Sequence, residues 1–362
     1  MQRRRFLNKS GIGLGSLFLS GCGWTLADIR GNSALVYSKN ELYIYSWAAF
    51  VDDRVLQQFF RATGIKSIAN IFDSNETMLA RFQASGGGGY SILYPSSYMV
   101  EQMIELGLLI ELDKSKISAF DRLFPRFINP PWDSENRHSL PMAWGVTGLI
   151  YNRTQIEEPP QDWDYLWRHQ QKLSKRITLV NDIREVIGAA LKSLGCSYNS
   201  TNPQEIQAAY KKLQALKSAI AAFTTDGWKT QILTGDLAIA MCYSDEGNRM
   251  VRENKDLVFI IPASGSALSI DNIVIPKTAP NIDGGYTWIN FISQPEMLTE
   301  LCQRLSFGTP NKAAFELLPL QFRQNPILFP SQEILSVCEE IVTLDEKTNE
   351  LLNYYWTLLT SS

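Results

Sequence analysis

Hydrophobic and polar positions along the chain follow two periods that predict a repeated strand–helix order. Residues 42–47 alternate with the period of a strand, and the apolar positions of 53–63 fall on one helical face, with Gly64 as the stop. The same order recurs as strands over 65–72 and 91–94 and helices over 75–83 and 97–106. Such alternation is typical of an α/β fold, in which helices cover both faces of a mostly parallel sheet.

The second half of the chain repeats this pattern after an interruption. Residues 139–151, between two Pro-Pro pairs, suit a strand that crosses between lobes. Farther on, the pattern predicts strands over 177–180, 237–243 and 273–275 and helices over 183–194 and 203–216. Because 362 residues exceed what one core normally supports, we expect two lobes. The predicted divisions are 40–140 plus 271–315 for lobe 1 and 141–270 plus 316–362 for lobe 2.

The first 22 residues have the features of an export signal followed by a lipid attachment site. Arg3-Arg4-Arg5-Phe6-Leu7 leads into a short, weakly apolar stretch, as in a twin-arginine signal. Leu19-Ser20-Gly21-Cys22 matches a lipobox. We therefore expect residues 1–21 to be removed, Cys22 to be lipidated, 22–39 to serve as a tether, and the protein to be anchored in the periplasm.

The net charge of the chain limits the classes of molecule that it is expected to bind. Residues 1–21 carry four of the 34 lysines and arginines and none of the 37 acidic residues, which leaves the remainder with a formal net charge of −7. An acidic surface disfavours nucleic acid and favours cationic partners. No apolar run after Cys22 reaches the roughly 18 residues of a membrane helix, so the lipid is the one predicted membrane contact.

Cysteine and histidine patterns predict no metal site and no cofactor. The two histidines lie outside any metal-binding frame, and the cysteine spacings fit none. The pattern leaves open whether the four later cysteines are free core thiols or include a disulfide: Cys196, Cys242, Cys302 and Cys338.

Aromatic and acidic residues follow the predicted strands, where open α/β sheets bind ligands. They are Trp47 to Phe50, Ser96 to Tyr98, Asp182 with Glu185, and Tyr243 to Glu246; Asp271, which precedes the predicted strand over 273–275, is a further candidate. Structural roles compete with binding: Asp182 and Glu185 could form a capping box, and acidic residues at 245 and 246 suit a helix N-terminus.

Several segments resemble the spermidine/putrescine-binding proteins of bacterial ABC importers. They include Tyr43-Ile44-Tyr45-Ser46-Trp47, Asp73-Ser74-Asn75-Glu76-Thr77-Met78, Pro95-Ser96-Ser97-Tyr98, Asp182-Ile183-Arg184-Glu185-Val186 and Thr309-Pro310-Asn311. The resemblance covers about 42–330. It implies a two-lobed type II periplasmic-binding fold whose lobes, joined by crossing strands, close on a polyamine. It also implies a monomeric receptor without catalysis or cofactor, which delivers the polyamine to a membrane permease.

The resemblance implies ligand contacts residue by residue. Asp182, Glu185 and Asp271 would neutralise ammonium groups, while aromatic and hydroxyl contacts would come from Trp47, Ser96, Tyr98 and Tyr243. Phe50, Asp245 and Glu246 are further candidates. A flexible polycation needs apolar faces for its methylenes and carboxylates for its nitrogens, so these residue types suit it.

The chain departs from the family at positions that contact ligand. Ala48-Ala49-Phe50 stands where better-known members have Thr-Glu-Tyr, so one carboxylate is missing, and Tyr243 and Ser269 each replace a tryptophan. Either Asp245 or Glu246 compensates, or the ligand differs. The open alternatives are a receptor for another organic cation or solute, and a hydrolase that uses Asp182 and Glu185 as acid and base.

Overall fold

The computed structural model describes residues 41–48 and 50–361. The predicted signal peptide, Cys22 and the tether therefore lie outside the described residues. Within them the strands are β1 Glu41–Trp47, β2 Lys66–Phe72, β3 Ile92–Leu93, β4 Ser139–Asn152, β5 Ile177–Leu179, β6 Ile220–Phe223, β7 Ile239–Tyr243, β8 Leu257–Ile260, β9 Ala267–Val274 and β10 Glu339–Glu340.

Helices fill most of the connections between these strands. They are α1 Asp53–Thr63, α2 Asn75–Ala84, α3 Ser97–Glu105, α4 Tyr165–Arg168, α5 Ile183–Lys192, α6 Pro203–Leu216, α7 Trp228–Thr234, α8 Ser244–Glu253, α9 Ile282–Ile292, α10 Pro295–Leu305, α11 Lys312–Leu317, α12 Leu320–Arg323, α13 Gln332–Val337 and α14 Glu346–Thr360. None of the helices in the described ranges is long and apolar enough to cross a membrane.

Local sequence explains where the helices begin and end. Asp52 caps α1 by accepting a hydrogen bond from the Val55 amide, and Gly64 ends the helix with a φ of 73°, in the left-handed region that favours glycine. Asn202 caps α6, with Pro203 as its first helical residue. The predicted helices over 53–63 and 203–216 are confirmed with these same bounds.

One continuous sheet connects the lobes. In the described ranges its strand order is β2-β1-β3-β9-β4-β7-β5-β6, with β10 beside β9 and β8 beside β4. Residues 139–146 of β4 pair with β9, and residues 147–151 pair with β7. The predicted crossing strand is thus confirmed. The outer strands of each half are parallel, as expected, whereas β4 runs antiparallel to β7, β8 and β9.

The apolar core divides between the two lobes. A first cluster surrounds Ile44, Phe59 and Trp288, and a second packs α5, α6 and α14 against β5 and β7. A third, around Trp228, uses the alternate side chains of β4 and β7, so the sheet of lobe 2 is covered on both faces. Residues between 316 and 341 also join the first cluster: Leu318, Phe322, Leu328 and Ile341. We therefore propose that lobe 1 extends to about 341, beyond the predicted boundary at 315.

All four later cysteines are free. Cys242 and Cys302 are buried as small apolar side chains, whereas Cys196 and Cys338 are partly exposed. Of the two alternatives left open by the sequence, the structure therefore shows free thiols.

Candidate ligand-binding site

A cleft with about 1050 Å³ of empty space, including its open mouth, lies between the lobes. All ten side chains predicted as definite or possible ligand contacts line it: Trp47, Phe50, Ser96, Tyr98, Asp182, Glu185, Tyr243, Asp245, Glu246 and Asp271. The structure thus brings together residues that are up to 224 positions apart in sequence. Their binding roles remain proposals.

Most of these side chains occupy the first positions after a strand. Trp47 ends β1, Ser96 follows β3, Asp182 follows β5 and Tyr243 ends β7, so the carboxyl-end rule places them at the same cleft. Asp271 is the exception. The expectation that it precedes a strand over 273–275 is wrong, because β9 already begins at Ala267 and Asp271 pairs with Ala143 inside the sheet.

Two lining carboxylates come from the opposite ends of the strand order. Asp73 follows β2 and Asp226 follows β6, yet both reach the cleft, so the sheet curls around it. Sequence analysis missed Asp226 because it did not predict the four-residue strand Ile220–Phe223. Other lining residues that it did not assign to the site include Asn75, Trp144, Phe307 and Ile341.

Asp271 is held by a polar chain from lobe 1. The Ser96 hydroxyl donates to its Oδ1 over 2.8 Å, and the Ser96 backbone N–H donates in turn to Asn75 Oδ1 over 3.1 Å. The Trp47 indole N–H lies close enough to lower the pKa of Asp271 without reaching hydrogen-bond geometry. These contacts fix the direction of the carboxylate before any ligand arrives.

Asp182 combines a structural role with a place in the cleft. Its Oδ1 accepts hydrogen bonds from the amides of Arg184 and Glu185, which caps α5. Glu185 does not complete the predicted capping box, since its Oε2 instead accepts from the Tyr198 hydroxyl over 2.8 Å. The two carboxylates therefore stand side by side at one helix N-terminus, with Glu185 only 2% exposed.

Burial makes these carboxyls reluctant to ionise in the empty cleft. Desolvation is the largest cause in each case, and neighbouring acids add to it for Asp182, Glu185, Asp245 and Glu246. The pKa rises to about 6 for Asp182 and Asp245, to about 7 for Glu246 and Asp271, and to about 8 for Glu185. A bound cation would reverse this effect.

Tyr243 has acidic neighbours in the cleft. Burial raises the pKa of its hydroxyl, and the nearby charges of Asp182, Glu185 and Asp271 raise it further, while Asp271 also raises the pKa of Asp245. Among the described residues, no group of three or more histidine, cysteine or acidic side chains could hold a metal ion. The acidic side chains predicted as ligand contacts come from β9 and from the N-terminal turns of the helices that follow β5 and β7, so an elongated cation with separate charges could pair with more than one of them.

Aromatic side chains form the apolar part of the wall. Trp47 packs on Phe72 with ring centroids 4.4 Å apart, and Phe50 meets Phe307 edge-on at 5.4 Å. The Tyr98 hydroxyl donates to Glu76 Oε1 over 3.0 Å. The predicted hydroxyl groups of Ser96 and Tyr98 thus orient carboxylates, while the rings offer faces to methylene groups.

The two candidates for the missing carboxylate differ in their partners. Glu246 already pairs with Lys229 and lies 3.7 Å from Arg249. No ion pair involves Asp245 within the described part of the chain, although this side chain lines the cleft in the first turn of α8. Asp245 is accordingly the better candidate for a ligand ammonium.

We expect Glu185→Gln to stabilise the ligand-free protein at pH 8. The pKa of Glu185 is about 8 in the fold and about 4.5 in an unfolded chain. Ionisation therefore opposes folding as pH rises, and the fold keeps its full stability only below about pH 4.5. Urea unfolding should show a gain of about 2–4 kcal/mol at pH 8 that shrinks to about 1 kcal/mol at pH 5.

A matched control is Glu316→Gln, on an exposed part of α11. This variant should unfold like the parent at both pH values. A Glu185→Gln protein that is less stable than the parent at pH 8 would contradict the burial argument.

Two α/β lobes that share crossing strands and face each other across an acidic, aromatic cleft define a type II solute-binding protein. The chain belongs to the bacterial extracellular solute-binding protein family, whose model matches residues 55–330.

Relatives of this chain include named polyamine receptors. The spermidine/putrescine-binding periplasmic protein of Salmonella typhimurium is 34% identical over 308 residues, or 84% of this chain and 88% of that protein. The putrescine/cadaverine-binding protein of Pseudomonas aeruginosa is 29% identical, covering 92% and 97%. The structure of the spermidine/putrescine ABC transporter substrate-binding protein PotD from Streptococcus pneumoniae matches with a TM-score of 0.76 and 35% identity, covering 89% and 98%.

Proposed function

We propose that this protein is an extracytoplasmic receptor that captures a polyamine between its lobes for an ABC importer. The carrying observation is that Asp182, Glu185, Asp245 and Asp271 line one aromatic-walled cleft. The relatives named for spermidine/putrescine and putrescine/cadaverine binding support the same class of ligand.

The chemistry of the cleft matches that class. Each ammonium group of a polyamine must meet a carboxylate when it leaves water, because an unpaired buried charge is strongly unfavourable. Asp182 with Glu185 can receive one ammonium, and Asp271 with Asp245 can receive another. Trp47, Tyr98 and Tyr243 then contact the methylenes between the two ammonium groups. Each ring that lies over an ammonium stabilises its binding by about 0.5–2 kcal/mol.

Delivery completes the proposal. A receptor of this class closes by a hinge and then presents its solute to the permease subunits of the importer. We propose that the chain does so as a monomer outside the cytoplasm, held to a membrane by lipid on Cys22 after twin-arginine export.

Globomycin, which blocks lipoprotein signal peptidase, should cause the uncleaved form to accumulate if Cys22 is the lipidation site.

A second candidate is the same receptor role for another organic cation. Small residues, Ala48 and Ser269, line the cleft at positions where the resembled family has bulkier side chains, and they leave room for a broader solute. Thiamine, with its cationic ring, is a suitable probe of this alternative.

Calorimetric titration of the purified chain tests the proposal. We expect micromolar binding of at least one of putrescine, spermidine and spermine, and no heat with a neutral sugar. Absence of binding by all three would contradict the polyamine assignment, and binding of thiamine alone would favour the second candidate. Turnover of a sugar substrate would favour the hydrolase alternative instead.

A further inference from the structure

An ammonium group of the protein itself lies at the wall of the cleft. Lys229 Nζ pairs with Asp226 Oδ1 over 2.7 Å and with Glu246 Oε1, and both acidic partners line the cleft. Desolvation disfavours the lysine charge, but Glu246 and Asp226 outweigh it and raise the pKa of Lys229. Lys229 is therefore an ammonium ion at neutral pH.

The position of Lys229 is set by its helix. It is the second residue of α7, directly after Trp228, which is fully buried in the third apolar cluster. The lysine side chain is 24% exposed, and that of Glu246 is 12% exposed. This anchoring keeps the ammonium between the two carboxylates.

The remaining acidic groups of the cleft have no such partner. In the part of the chain that the structure describes, no lysine or arginine lies within 4.0 Å of the carboxylates of Asp182, Glu185, Asp245 or Asp271. The charge of Arg184 favours the ionised forms of Asp182 and Glu185, and that of Arg249 favours ionised Asp245, but the Arg184 guanidinium donates its hydrogen bonds to the Val342 carbonyl and to Asn199. The acidic side chains of the cleft thus include two groups without an ion pair, Asp182 with Glu185 and Asp245 with Asp271, and a third group, Asp226 with Glu246, that already holds an ammonium.

A lysine side chain is chemically the end of a polyamine: a primary ammonium on a chain of four methylenes. We propose that Lys229 is a built-in ammonium that occupies a third cationic subsite, formed by Asp226 and Glu246, and thereby penalises triamines relative to diamines. This inference rests on the proposed polyamine function and adds the ligand class that the cleft discriminates against.

The penalty has a direct physical cause. A diamine can place its two ammonium groups at the two acidic groups without an ion pair, whereas a third ammonium that extends toward Asp226 and Glu246 meets Lys229. Repulsion between like charges and burial of an unpaired charge are both effective means of discrimination. Removing Lys229 would leave Asp226, together with Glu246, whose remaining cationic neighbour is Arg249 at 3.7 Å, to receive that third ammonium.

Titration of the purified chain and its Lys229→Met variant with putrescine and spermidine tests this role. We expect the variant to bind spermidine at least about 10-fold more tightly than the parent, with putrescine affinity changed less than about 3-fold. Lys229→Arg, which keeps the charge, should behave like the parent. Adding Glu246→Gln to Lys229→Met should remove much of the gain, because it removes one of the freed carboxylates.

The outcomes separate this inference from the proposed function. Parent protein that binds neither amine contradicts the polyamine assignment and this inference with it. Parent protein that binds polyamines, together with a Lys229→Met variant that changes both affinities equally or not at all, overturns only the role of Lys229. Lys229→Gln, which retains a hydrogen-bond donor, replaces Lys229→Met if thermal melting shows that the latter is unfolded, and the same change in selectivity is required of it.

Discussion

Polyamine affinity should fall by about 30-fold to several thousand-fold in Asp271→Asn, because loss of one partner of a buried charge pair typically costs about 2–5 kcal/mol. Asparagine matches aspartate in size and can still accept the Ser96 hydroxyl bond to its side-chain oxygen. The substitution thus removes charge and little else. Calorimetric titration at pH 8, where the parent carboxylate is ionised, provides the measurement.

Unfolding is not expected to explain that loss. The pKa of Asp271 is about 7 in the empty cleft, so a neutral side chain suits the ligand-free fold, and the variant should melt at or above the parent temperature. Asp283→Asn, at an exposed position of α9 in the same lobe, is the matched control and should bind normally. An Asp271→Asn protein with affinity within about 3-fold of the parent would remove Asp271 from the site.

Affinity should also rise steeply with pH, by about 100-fold or more between pH 5.5 and 7.5. The pKa values of the five lining carboxyls lie between about 6 and about 8 in the empty cleft. An ammonium ligand lowers them, so binding releases protons, and each released proton contributes a factor of about 10 per pH unit. Titration across this range in buffers of different ionisation enthalpy gives both the affinity and the proton count.

The empty protein should show the opposite trend. Its cleft carboxyls have pKa values above those of an unfolded chain, so their contribution to ligand-free stability is fully present only below about pH 4 and is lost as pH rises to about 8. Glu185→Gln removes one titrating group and should reduce the measured proton release. A parent affinity that is constant from pH 5.5 to 7.5 would show that the carboxyls are already ionised before the ligand arrives.

The loss of affinity in Asp271→Asn and the rise of affinity with pH would have the same cause. The fold brings acidic groups together in a cleft where burial disfavours their ionised forms, and a bound cation stabilises those forms. The buried acidic groups therefore lower the stability of the ligand-free protein and raise its affinity for a cation, as is common for binding sites.

The sequence by itself predicted much of this arrangement. Alternating apolar periods located α1, α6 and the crossing strand β4, and Gly64 and Asn202 marked helix ends, because these signals act within a few residues. The carboxyl-end rule and the family resemblance then selected ten side chains that all line one cleft. Helix and strand signals could be read from the sequence because they depend on residues close together in the chain. The ligand contacts could be predicted because open α/β sheets bind ligands at the carboxyl ends of their strands.

Tertiary structure decided what depends on contacts between distant segments. Sequence placed Asp245 and Glu246 together, but only packing against Lys229 distinguishes a paired carboxylate from an open one. Asp271 looked like the residue before a strand, yet pairing with β4 draws it into β9. Asp226 lines the same cleft as Asp73, although β6 and β2 lie at opposite ends of the strand order. Strand pairing, ion pairing, side-chain burial and carboxyl pKa each depend on residues that are distant in the sequence and that folding brings together. Local sequence patterns therefore do not predict them.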